Sequence, residues 1–84
     1  MTRYDFICNR ELADALISGN RMYDLRPTRY PYRVGDKVHY QMVENKLNRQ
    51  HPINNMEFRI TSLLVSPYIA EGHAIIGLKP IERS

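Results

Sequence analysis

At 84 residues the chain is long enough for one hydrophobic core and too short for two, so a single domain spanning 1–84 is expected. Its 43% hydrophobic and 25% charged residues set aside the disordered and low-complexity classes. The net charge of +3 decides little by itself, but nine of the twelve basic residues are arginine, whose planar fork suits phosphates and base edges better than lysine does.

A lone Cys8 excludes an internal disulfide, and no CxxC or Cys/His ligand spacing surrounds it. His39, His51 and His73 are not spaced as metal ligands either, so neither a metal nor another cofactor is expected. Arg3 and Asp5 interrupt the apolar start that a signal peptide needs. Leu63-Leu64-Val65 and Ala74-Ile75-Ile76 are too short to span a bilayer, so the expectation is a cytoplasmic protein without a membrane partner.

In chain order, Tyr4 to Cys8 alternates aromatic and branched residues with polar ones and predicts a first strand. Asn9 is placed as the N-cap of a helix over Arg10–Ser18, whose apolar stripe is Leu12, Ala13, Leu16 and Ile17. Gly19 stands where a left-handed C-terminal cap is expected. Arg21 to Leu25 alternates again and predicts a second strand, with Met22 and Asp24 on one side. Pro27 and Pro31 turn Arg26 to Tyr32 into an extended connector. Val34-Gly35-Asp36-Lys37 predicts a tight turn feeding a strand over Val38–Val43.

Glu44 to Asn55 is polar and predicts a long hairpin loop. Met56 to Val65 predicts a further strand with Phe58, Ile60 and Ser62 on one side. Ser66-Pro67 breaks it, and Tyr68 to Glu71 predicts a single helical turn before Gly72. His73 to Leu78 is nearly all apolar and predicts a strand buried on both faces. The fold class is therefore α+β: one early helix and a small, curled, mostly antiparallel sheet of five strands. Tyr4, Tyr40 and the Cys8 thiol are expected in the core.

The functional signal is concentrated between Ser18 and Asp36. There Arg21, Arg26, Arg29 and Arg33, with Lys37 just beyond, face only Asp24 and Asp36, with Tyr23 and Tyr32 interleaved. Arginine holds phosphate or a base edge bidentately, and tyrosine stacks on a base. Arg/Tyr surfaces equally suit protein hot spots, and Asp24 equally suits a local ion pair with Arg21 or Arg26.

The order of strand, helix, Ser18-Gly19, basic strand, Val34-Gly35-Asp36 and three more strands resembles the ASCH domains of the PUA-like superfamily. It is most similar to small bacterial and phage ASCH-related domains of unassigned function, which carry an S-G-K-K-T-x-E-x-R run and an aromatic residue shortly before V-G-D. Here the run is Ser18-Gly19-Asn20-Arg21-Met22-Tyr23-Asp24-Leu25-Arg26, and Tyr32 precedes Val34. The apolar closing strand Ala74-Ile75-Ile76-Gly77-Leu78 matches as well.

The resemblance implies a PUA-like pseudo-barrel with a cleft lined by Gly19–Arg26, and RNA or a nucleotide as partner. The ligand-binding set so implied is Gly19, Arg21, Tyr23, Asp24, Arg26, Arg29, Tyr32, Arg33 and Lys37. One ASCH-type enzyme hydrolyses the amide of an acetylated cytidine with a threonine, a lysine and a glutamate. Arg21 and Met22 stand at the matching lysine and threonine positions, with Glu57 and Thr61 as the remaining candidates on another strand. Arginine does not shed its proton to act as a base, so binding is expected rather than catalysis. The alternative is a phage or mobile-element factor that uses the same scaffold on a host protein.

Overall fold

A computed structural model describes residues 2–42 and 51–81. Five strands and one helix follow in the order β1 (Arg3–Cys8), α1 (Arg10–Ser18), β2 (Tyr23–Pro27), β3 (Lys37–Met42), β4 (Glu57–Leu64) and β5 (His73–Pro80). A 3-10 turn at Pro52–Asn55 precedes β4. The α+β class is as expected. Val43, residues 44–50 of the expected loop and residues 82–84 lie outside the described residues.

The strands form one sheet in the order β1-β3-β4-β5-β2, curled into a half-barrel. Three neighbouring pairs are antiparallel, whereas β1 and β3 run parallel with Tyr4 opposite Val38 and Phe6 opposite Tyr40. Period-2 alternation sends Tyr4, Phe6, Cys8, Val38, Tyr40, Met42, Phe58, Ile60, Ile76 and Leu78 into the concave face. Each such buried side chain contributes roughly 1.5–3 kcal/mol of transfer free energy. Helix α1 and the 3-10 turn cover one part of this face through Ala13, Leu16 and Ile53, while Tyr32 packs on it from the connector after β2.

The helix is capped as its sequence dictates. The Asn9 side chain accepts from the Leu12 N–H, and Gly19 takes φ 80° while its N–H donates to the Leu16 carbonyl. The expected stripe shifts, however, because Ile17 is exposed. At 100° per residue, Ile17 sits about 90° from the centre of the face formed by Leu12, Ala13 and Leu16.

Four further expectations change for identifiable reasons. Strand β2 extends through Pro27 instead of ending at Leu25. Leu78 N donates to Met22 O and Thr28 N to Gly72 O, so the even-numbered residues of this segment bond to β5 and the odd-numbered ones face the open edge. Pro27 therefore forfeits no ladder bond. In β4 an irregularity between Ile60 and Ser62 shifts the parity, so that Leu63, not Ser62, lies opposite the inward Ile76. The bulge closes over Gly77, where a Cβ would run into the Ser62 and Thr61 side chains.

Residues 68–71 form no helix. Ile69 N donates to Ser66 O and His73 N to Ala70 O, giving two successive turns. Finally, β5 is buried on one face only: Ala74, Ile76 and Leu78 point inward, while Ile75 lies on an outer face that no helix among the described residues covers. No helix among the described residues is long and apolar enough to cross a membrane.

Candidate functional site

The curl brings the outermost strands β1 and β2 toward each other, and side chains of β2 bridge them. Asp24 and Arg26 occupy the inward parity of β2, opposite Ile76 and Ala74. Asp24 is buried, and its Oδ2 accepts from the Arg26 Nε–H at 2.7 Å and from the Tyr40 hydroxyl at 2.7 Å. Its Oδ1 lies 3.7 Å from an Nη2 of Arg21. Arg26 in turn lies over the Phe6 ring, 4.0 Å from its centroid, and reaches the Ile7 carbonyl of β1 with Nη2 at 3.5 Å. The guanidinium thus spans the gap between the two strands, stacked on one ring and neutralised from behind by a carboxylate.

Beside Arg26 the connector folds back over β1. Tyr32 N donates to Tyr30 O across Pro31, a three-residue turn that places both tyrosines on the same aromatic group. Tyr4 and Tyr32 meet edge to face with centroids 4.9 Å apart, and Tyr30 and Tyr32 do so at 6.1 Å. Phe6, Arg26, Pro27, Arg29, Tyr30 and Tyr32 enclose a cleft of about 220 Å³. That volume lies below the range of drug-sized pockets, so it admits one ring system at a time. Tyr30 keeps an exposed face, while Tyr32 is half-buried.

The turn before β3 is anchored by the second buried carboxylate. Asp36 Oδ1 accepts from the Thr2 N–H at 3.2 Å, and Oδ2 accepts from the Arg33 N–H at 3.1 Å and the Tyr4 hydroxyl at 3.3 Å. Three donors, two from the N-terminal segment and one from the connector, converge on one side chain, and this sets the exit of the connector into β3.

Of the residues singled out from the sequence, Arg26, Arg29 and Tyr32 line this cleft. Asp24 is consumed by its three partners and offers no surface to a ligand. Arg21 donates from Nε to the Tyr23 carbonyl and lies 5.0 Å from the Tyr23 ring centroid, so this pair decorates the open edge of β2. Gly19 caps the helix. Arg33 borders a separate depression with Thr2, Pro31 and Gly35, and Lys37 lies on the outer face of β3. Glu57 is also on the outer face, 3.9 Å from Arg3, and Thr61 is at the β4 bulge.

Phe6 and Tyr30 belong to the cleft but were not among the residues singled out. Tyr30 stood inside the Arg/Tyr segment, whereas Phe6 carried no sign beyond its inward parity. Among the described residues, Arg29 and Arg33 have no ion-pair partner, in contrast to Arg21 and Arg26. No group of His, Cys, Asp or Glu among the described residues is placed to hold a metal ion.

The tyrosines at this site hold their protons unusually firmly. Burial, then the Asp24 charge, push the Tyr40 hydroxyl far above the ordinary phenol range. Burial and the Asp36 charge raise Tyr4, and burial raises Tyr32. In the unfolded chain these groups titrate near pH 10. Above that pH the unfolded state binds fewer protons than the folded one, so stability falls as pH rises, by up to ~1.4 kcal/mol per pH unit from Tyr40 alone. Urea midpoints measured from about pH 8 to 11 should decline beyond about pH 10, and Tyr40→Phe should flatten that decline. An unchanged slope in the variant would rule out Tyr40 as its source.

No protein-family model matches the sequence, and no curated protein matches it.

Proposed function

We propose that this protein is a small RNA- or nucleotide-binding module of the ASCH, PUA-like type, with the Arg26/Arg29/Tyr30/Tyr32 cleft as its ligand site. The observation that carries this reading is the pairing of a one-ring aromatic cleft with Arg29 at its rim, which has no ion-pair partner among the described residues. A base stacks on the exposed face of Tyr30 against the Arg26 plane, and Arg29 meets the adjoining phosphate. The half-barrel with one helix supports the PUA-like reading. Binding is favoured over hydrolysis because Arg21, at the lysine position, is engaged with Tyr23 and Asp24, while Glu57 is on the opposite face of the sheet.

Wild-type protein should bind uridine monophosphate and a single-stranded oligouridylate, and Tyr30→Ala should cost about 1–3 kcal/mol in both cases. Arg29→Ala should weaken binding and reduce its salt dependence. Unchanged affinity in both variants would exclude this cleft. A second reading, as a protein-interaction factor, draws on a different surface. Leu64, Val65 and Tyr68 are exposed around the β4–β5 turn, with Tyr68 at 98%. A stoichiometric host protein retained after nuclease treatment, without any nucleotide binding, would favour that reading.

A further inference from the structure

The outer face of the sheet carries a pattern that strand alternation alone does not explain. Arg3 of β1 is in register with Lys37 of β3, Lys37 with Arg59 of β4, and Arg59 with Lys79 of β5. Four cations therefore stand side by side across four strands, each directly opposite the next. Like charges in that position disfavour the sheet by a few tenths of a kcal/mol or more per pair. Two carboxylates occupy the neighbouring row: Asp5, which pairs with Arg3 and His39, and Glu57, which lies near Arg3. They leave the two rows with an excess of positive charge. Lys37 and Lys79 have no ion-pair partner among the described residues, and Arg59 is steadied by donating from Nη1 to the Gly35 carbonyl.

The row also has a direction. Arg29 at the cleft, then Arg33, lead along the connector into the turn that delivers Lys37 to the first position of β3. The basic path thus runs from the cleft, round the Asp36 turn, and across the outer face. At about 4.8 Å per strand the row spans three intervals, about 14 Å, which covers about five successive phosphates at ~3.4 Å per step along a stacked strand.

We infer that the row Arg3–Lys37–Arg59–Lys79 is a phosphate track, which engages the backbone of a single-stranded nucleic acid whose base occupies the cleft. This rests on the proposed cleft reading and extends it: a strand engages the cleft and the row together, whereas a free mononucleotide uses the cleft alone. The track carries no sequence information, since it has only cations to offer; it supplies affinity and holds the strand in position. It also accounts for the like-charge row, because bound phosphates replace repulsion between neighbours with shared counter-charges.

The test uses Lys37→Gln/Lys79→Gln, two changes at groups outside the cleft that relieve repulsion and should leave the urea midpoint equal or higher. Binding of a labelled oligouridylate of about twelve nucleotides is followed between about 50 and 200 mM salt, alongside uridine monophosphate. The double variant should lose about 1.4 from the magnitude of the log K against log salt slope, at ~0.7 per phosphate contact. Its affinity for the mononucleotide should not change. An unaltered slope would overturn the track while leaving the cleft reading intact. Loss of mononucleotide binding in the double variant would also overturn it, because the lysines would then act on the cleft itself. Oligonucleotide binding that depends on the lysines but ignores Tyr30→Ala would sink the cleft and overturn the inference as stated, because the strand's base would not lie there.

Discussion

Replacing Asp24 by alanine should lower the unfolding free energy by about 3 kcal/mol, with a fall in Tm of roughly 12–24 °C for a domain of this size. The cost has two parts. The Tyr40 hydroxyl, on a fully buried side chain, loses its acceptor, and the Arg26 guanidinium loses the charge that holds it across the gap between β1 and β2. Asparagine should do far better. Its carbonyl oxygen can take the place of Oδ2, which receives both short hydrogen bonds, and its amide then faces only the longer Arg21 contact. Removing the orphaned hydroxyl as well, in Asp24→Ala/Tyr40→Phe, should restore part of the loss. Urea unfolding of the four proteins is the measurement. Equal destabilisation by alanine and asparagine would show that charge, not hydrogen bonding, dominates this network.

The same network decides how Arg26 variants are to be read. Arg26→Ala removes a wall of the cleft and a structural bridge together, so loss of binding in that variant is not by itself evidence for ligand contact. Arg29 and Tyr30 are the informative positions, since neither side chain has a hydrogen bond or ion pair to lose among the described residues.

Much of this was legible because the causes are local. Asn9 and Gly19 bracket the helix through contacts within four residues, and the alternation of Val38, Tyr40 and Met42 names the inward face of β3 without any partner strand. The Asp24–Arg26 pair follows from their spacing of two on one strand. Features that depend on remote segments were not legible. The parallel pairing of β1 with β3 depends on which strand occupies the adjacent place in the sheet, a choice made by the whole chain. The end of β2 depended on which way the Pro27 nitrogen faces, and the shift at Ser62 on the neighbouring Gly77. Tyr40 is marked as core by its alternation, but its bond to Asp24 joins residues sixteen apart. The cation row was invisible for the same reason: its members belong to four different segments and become neighbours only once register is set.

Asp36 provides the sharper contrast, because there asparagine should fail almost as badly as alanine. Both carboxylate oxygens accept from backbone N–H groups, Oδ1 from Thr2 and Oδ2 from Arg33. An amide can offer oxygen to only one of these and must turn its own N–H₂ toward the other donor. Asparagine leaves one of these part-buried N–H groups facing its own N–H₂, and alanine leaves both to whatever water can reach them, at about 1–3 kcal/mol for a group left unsatisfied. The Tyr4 hydroxyl is the partner that can recover, since Pro31 O lies 3.2 Å away as a second acceptor. We therefore expect Asp36→Asn and Asp36→Ala each to cost about 2–3 kcal/mol in urea unfolding, and both to loosen the connector that carries Arg29, Tyr30 and Tyr32. Hydrogen exchange should locate the effect: faster exchange at Thr2 and Arg33 with the helix amides of α1 little changed. If asparagine instead retains wild-type stability, the convergence of three donors on Asp36 is not what holds this turn. The cleft would then owe its shape to the packing of Tyr4, Tyr30 and Tyr32 alone.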